Sequence, residues 1–158
     1  MAQNIITPAE VVAIAFSDGE YLAPDVITEA DIVAATEHWI RPITGQALLE
    51  AVAAGGYAEL REAHLSPTVA LCTRLMVQPR LNVQTSQLGL STPAGSHRKA
   101  AERSAREELR RALRLRAQSM RRRLSEYLEQ NAAQIPEYDP KQNILNRCSI
   151  DGGFVQIL

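Results

Sequence analysis

Residues 97–133 read HRKAAERSAREELRRALRLRAQSMRRRLSEYLEQNAA, with no proline or glycine and an apolar residue at every third or fourth position. That spacing keeps one side of an α-helix apolar, so the stretch predicts one helix over residues 97–133, about 55 Å long at 1.5 Å per residue. At about 100° per residue, Ala101, Ala105, Leu109, Ala112, Met120, Leu124 and Tyr127 share one broad face. Arg103, Arg110, Arg114 and Arg121 line up within about 40° of one another on an adjoining face. Arg116 and Arg123 fall inside the apolar stripe. Arg116 either runs its stem out to solvent or meets a carboxylate of the N-terminal helices as a buried ion pair.

The same stretch concentrates the positive charge. Residues 98–123 hold eleven basic side chains against Glu102, Glu107 and Glu108, whereas residues 1–97 hold ten carboxylates against Arg41, Arg61, Arg74 and Arg80. The formal net charge of −1 therefore conceals a charge dipole between two halves of the chain. Pairs such as Glu102–Arg106 and Glu107–Arg111 sit at i,i+4 but contribute only a few tenths of a kcal/mol each, and they leave most arginines over. Such a helix meets either the phosphates of a nucleic acid or the acidic half of another copy, and the acidic balance of residues 1–97 favours the copy.

Working towards the N-terminus, residues 81–95 change period. Leu81, Val83 and Thr85 alternate with polar residues, and residues 88–92 follow a short polar turn, which predicts a β-hairpin or protruding loop. Upstream, the pattern is helical. Thr7, Pro8 and Glu10 are placed as N-cap, first helical residue and capping-box partner, and Thr28 to Asp31 open a second helix with an acidic first turn. Ile32, Ala35, Trp39 and Ile40 continue it as a core face until Arg41-Pro42 ends or kinks it. Thr44 is expected to cap a third helix over residues 46–54 that stops at Gly55-Gly56. A short helical segment covers residues 57–64, and Ser66-Pro67 opens another helix that ends before Pro79. Beyond Ile135-Pro136 the chain is irregular, with a turn at Asp151-Gly152-Gly153 and a terminal strand over residues 154–158.

These elements predict a mainly α fold: a small helical bundle with one long C-terminal helix and a short β-hairpin or protruding loop before it. Residues 1–138 form one helical domain and residues 139–158 an irregular C-terminal tail. At 158 residues with few aromatics, the core rests on Ala, Leu, Val and Ile.

No catalytic pattern accompanies this architecture. No serine sits in a Gly-x-Ser-x-Gly elbow, and Gly55-Gly56 lacks the lysine and strand of a phosphate loop. His38, His64 and His97 are not spaced to share a metal, and Cys72 and Cys148 lie in no ligand pattern. The sequence therefore predicts a non-enzymatic protein with no catalytic, metal or cofactor residues. Without a basic n-region in residues 1–16 or an 18-residue apolar run, it predicts no signal peptide and no membrane partner.

The order of elements resembles the head-tail connector proteins of phages and prophages, the adaptor or head-completion class. The residues that carry the resemblance are Ile6-Thr7-Pro8-Ala9-Glu10-Val11, Ile27-Thr28-Glu29-Ala30-Asp31-Ile32, Ile43-Thr44-Gly45, Ser66-Pro67-Thr68-Val69-Ala70-Leu71 and Ile135-Pro136-Glu137-Tyr138. It implies a structural virion protein, made in the host cytoplasm during assembly, that copies itself into a homo-oligomeric ring, usually twelvefold. The ring docks on the portal protein, meets a tail or stopper protein, and surrounds the channel through which DNA passes. Arg103, Arg110, Arg114, Arg116 and Arg121 are the candidate interaction residues. The alternative is a DNA-binding or DNA-packaging accessory protein that lays the same arginines along phosphates.

Overall fold

The computed structural model describes residues 5–16, 22, 24–81, 84–86, 89–91, 103–146, 148–151 and 154–157. The first two helices begin as their sequences dictate. In α1 (Pro8–Ala15) the Glu10 amide donates to the Thr7 hydroxyl at 3.3 Å and the Thr7 amide donates to the Glu10 carboxylate at 2.7 Å. In α2 (Glu29–Ala35) Thr28 and Asp31 repeat the exchange at 3.2 and 2.9 Å. Each box satisfies two amides that a helix start leaves without partners.

Two of the three interior X-Pro sites are handled alike. A π-helical turn, Thr36–Ile40, joins α2 to α3 (Arg41–Thr44), and a second, Arg61–Leu65, joins α5 (Ala58–Leu60) to α6 (Ser66–Leu81). Each wide turn ends two residues before a proline, Pro42 or Pro67. A proline ring clashes with the carbonyl four residues back and offers it no donor, and a turn with one extra residue moves that carbonyl away. The helix break predicted at Ser66-Pro67 is therefore absent, and residues 58–81 run on as one helical rod. Pro79 likewise lies inside α6, in its exposed last turn, where its missing amide leaves the Leu75 carbonyl without its helical donor.

The cap predicted at Thr44 belongs instead to Gly45, whose φ of 77° lies in the left-handed region. Thr44 is buried and its hydroxyl donates back to the Ile40 carbonyl at 3.1 Å. After α4 (Gln46–Ala53) the chain closes a Schellman motif, with Gly56 N on Ala51 O at 2.9 Å and Gly55 N on Val52 O at 3.0 Å.

Helix α6 is the centre of the bundle. It packs on α1, α2 and the long helix α7 (Arg103–Gln130), and residues from Val69 to Cys72 are buried without interruption. Ile32, Ile40, Ile43, Leu48, Leu60, Leu65, Leu124 and Leu128 complete a core of fully enclosed aliphatic side chains. Each is worth about 1.5–3 kcal/mol on leaving water. Three arginines tie the N-terminal elements to the rod ending in α6. Arg61 donates to the Ile5 carbonyl at 2.9 Å and pairs with Glu10 at 3.3 Å. Arg74 donates to the Ala15 carbonyl and covers the Phe16 ring at 4.4 Å. Arg80 pairs with Asp31 at 2.8 Å and donates to the Val26 carbonyl at 2.9 Å.

Strands β1 (Gln84–Ser86) and β2 (Gly89–Ser91) pair antiparallel with Gln84 opposite Ser91, so a hairpin stands between α6 and α7. Leu81 closes α6 rather than opening the hairpin. The fold is thus mainly α, a helical bundle with a long C-terminal helix and a short hairpin before it. The predicted helical residues 97–102, including Ala101 and Glu102, lie outside the described residues. At its other end α7 stops at Gln130, before the predicted 133, where Asn131 donates its side-chain amide to Tyr127 O at 2.8 Å.

The segment after α7 is irregular in backbone, but part of it is bound to the bundle. Ile135, Tyr138 and Asn143 are buried, and Asn143 donates to the Ser125 hydroxyl of α7 at 2.8 Å. The packed domain therefore extends past the predicted limit at 138. Strands β3 (Cys148–Asp151) and β4 (Phe154–Ile157) then pair antiparallel with Asp151 opposite Phe154. Gly152, Gly153 and Leu158 of the predicted turn and strand are outside the described residues.

Candidate interaction groove

The direction of α7 follows from its neighbours. Tyr127 stacks on His64 with ring centroids 4.1 Å apart, and Ala117 and Arg110 share a groove with Met76 and Pro79. Residue numbers rise on one helix as they fall on the other, so α6 and α7 are antiparallel.

Its buried stripe is Leu113, Ala117, Leu124 and Leu128, with Met120 half-buried beside them. Ala105 and Ala112, assigned to the core face from the sequence, are exposed, and Leu109 is only half-buried. The true stripe is rotated by about 70° from the predicted one, towards the arginines. Leucine side chains drive this choice, because burying an alanine methyl removes far less apolar surface from water than burying a leucine.

That rotation places the candidate arginines. Arg110, Arg114 and Arg121 border a groove of about 340 Å³ between α7, the last turns of α6 and the π-helical turn before α3. Its apolar lining is Trp39, Leu75, Met76, Pro79 and Ala117. Arg103 lies further along the helix, exposed, and pairs with Glu107 at 2.8 Å, so Glu107 does not serve Arg111 as predicted. Arg116 is exposed and falls outside the buried stripe, which settles its environment in favour of solvent. The structure therefore joins three of the five predicted residues in one site and leaves Arg103 and Arg116 apart from it.

Trp39, which the sequence places in the core, is half-buried and lines the groove. Leu75 and Met76 carry no sequence signal of a site, since each sits in an ordinary helical core pattern, and Pro79 reads only as a helix end. Only the antiparallel approach of α7 turns them into a lining.

No described carboxylate pairs with Arg110, Arg114 or Arg121. The Nε of Arg121 is closed off from solvent with no acceptor among the described residues, and so is that of Arg106. A shielded donor left unpaired costs about 1–3 kcal/mol. Arg121 also lies near Cys72, whose thiol is pushed up to about 12 by burial against the opposing pull of that guanidinium. The thiol is therefore protonated and inert at neutral pH.

The arginines of the acidic half are already engaged, Arg41 with Glu37, Arg61 with Glu10 and Arg80 with Asp31. Partial burial pushes the Asp31 carboxyl up, but Arg80 and the Thr28 amide and hydroxyl outweigh it and hold the carboxyl below its ordinary value. Exposed Asp25, Glu29, Glu59 and Glu62 have no ion pair among the described residues. Each half thus keeps a surplus of its own sign.

Among the described residues no group of three His, Cys, Asp or Glu side chains could hold a metal ion, and no helix is long and apolar enough to cross a membrane. The groove offers hydrogen-bond donors and apolar surface, with no nucleophile and no acid-base pair. Such a lining has the chemistry to take an acidic group beside an apolar one.

A family model matches residues 25–147, and the chain belongs to that family of unknown function, DUF6712. Comparison with curated proteins and with solved structures gives no match.

Proposed function

We propose that this protein is a non-enzymatic structural component of a phage or prophage virion, a head-tail connector that assembles as a ring on the portal and joins capsid to tail. The observation that carries the reading is the unmatched charge. Arg110, Arg114 and Arg121 border an apolar groove without a carboxylate partner among the described residues, while the N-terminal half holds exposed carboxylates without a described cation. A surface that complements a different surface of the same molecule makes heterologous contacts, and these close into rings when the rotation between copies divides a full turn. The resemblance in element order points the same way. The portal, a tail or stopper protein and the passing DNA are the partners of that role.

Electron microscopy of the purified protein at high concentration and low salt, with and without a portal ring, tests it. Closed rings of uniform diameter, free or seated on the portal, are expected. Absence of both free rings and portal-bound density would end the connector reading. Tight binding to duplex DNA that weakens steeply with salt would replace it with the DNA-packaging alternative.

A further inference from the structure

The described surface contains two exposed large apolar side chains, Val26 at 37 % and Leu115 at 61 %. Leu115 stands among arginines on the outer side of α7. Val26 stands between Asp25 and Glu29, both exposed and without an ion pair among the described residues. An apolar knob flanked by two carboxylates is the chemical complement of an apolar groove bordered by three guanidiniums.

The knob is also held rigid. Arg80 donates to the Val26 carbonyl at 2.9 Å and pairs with Asp31 at 2.8 Å, while the Thr28–Asp31 capping box sets the chain direction just after it. A pre-ordered knob loses little conformational freedom on docking. Within one chain the knob does not fill the groove, since Val26 is not among the residues that line it.

We infer that the groove bordered by Arg110, Arg114 and Arg121 receives the Asp25, Val26 and Glu29 knob of a second copy of this chain. Val26 enters against Trp39, Leu75 and Met76, and the carboxylates of Asp25 and Glu29 meet the arginines. The contact is heterologous, knob to groove, so every copy uses both surfaces. This inference deepens the self-assembly reading above and rests on it for its biological setting.

Two variants in a Cys148→Ser background test the contact, one carrying Val26→Cys and the other Gln118→Cys at the groove rim. Mixed at high concentration and treated with a short bismaleimide, they are expected to give a dimer whose digest contains a 26–118 linked peptide. Adding Arg114→Glu to the second variant is expected to cut the yield by about tenfold, and adding Glu29→Arg to the first to restore it. Absence of the 26–118 peptide, with both variants folded by circular dichroism, would overturn the inference, as would efficient self-linking of Val26→Cys alone. Rings seen by microscopy without this link would sink the knob-in-groove contact and leave the connector reading standing. The link without rings or portal docking would do the reverse.

Discussion

The side-chain amide of Asn143 donates to the hydroxyl of Ser125 at 2.8 Å, and Asn143 is fully enclosed, at 0 % exposure. The same amide donates to the Tyr138 hydroxyl at 2.8 Å, and its oxygen accepts from the Leu145 amide at 3.0 Å. One polar side chain thus fastens the segment after α7 to the end of that helix. Tyr138 in turn donates to Glu129, and burial together with this bond raises its phenol to about 12, so the network stays in one protonation state at neutral pH.

Replacing Asn143 with alanine strands several buried groups at once. The expected cost is about 2–3 kcal/mol, read as a lower midpoint in chemical denaturation, because unpaired buried donors and acceptors lose their water without recompense. A loss below about 0.5 kcal/mol would show that the segment is not part of the cooperative unit.

Reversing Arg110, Arg114 and Arg121 together to glutamate is expected to abolish self-association in analytical ultracentrifugation while leaving far-ultraviolet circular dichroism unchanged. None of the three pairs with a described carboxylate of its own chain, so the reversal breaks no described ion pair within the chain. Normal assembly by this variant would remove the arginine groove from the interface.

His64 links stability to pH. Its imidazole is held below its ordinary value first by burial and then by Arg123, against a smaller opposing pull from Glu59. The unfolded ring takes up a proton near pH 6.5 that the folded ring refuses, so stability is full above that pH. It falls as pH drops through the window between 6.5 and the lower folded value. His64→Phe keeps a ring for Tyr127 to stack on, and the fall in melting temperature between pH 7 and pH 5 is expected to shrink in that variant. An unchanged slope would assign the pH dependence to other groups.

Cys72 should be silent towards iodoacetamide at pH 8 in the native Cys148→Ser protein and should react once denaturant is added. Its burial and raised thiol leave almost no accessible thiolate. Fast native labelling would mean that α6 and α7 separate readily.

Features governed by near neighbours in the chain are legible from the amino-acid order itself. Thr7 with Glu10, as a capping box, and Thr28 to Asp31, as an acidic first turn, announce helix starts, because both signals are completed within four residues. The long proline-free stretch, the hairpin before it and the charge dipole are of the same kind.

What the chain alone left undecided depends on partners distant in sequence. Alanines around α7 make several faces look apolar, and only packing on the core around α6 selects the one with Ala117, Leu124 and Leu128, since burying leucine removes the most surface from water. Pro67 reads as a helix start until the π-helical turn Arg61–Leu65 absorbs it within a rod that tertiary contacts hold together. Asn143 reads as a loop residue until Ser125 and Tyr138 enclose it. The site follows the same division. The arginines of α7 could be named from the sequence, but the groove they border exists only because an antiparallel helix brings Leu75, Met76 and Pro79 beside them, and periodicity within one helix carries no information about which face of another it will meet.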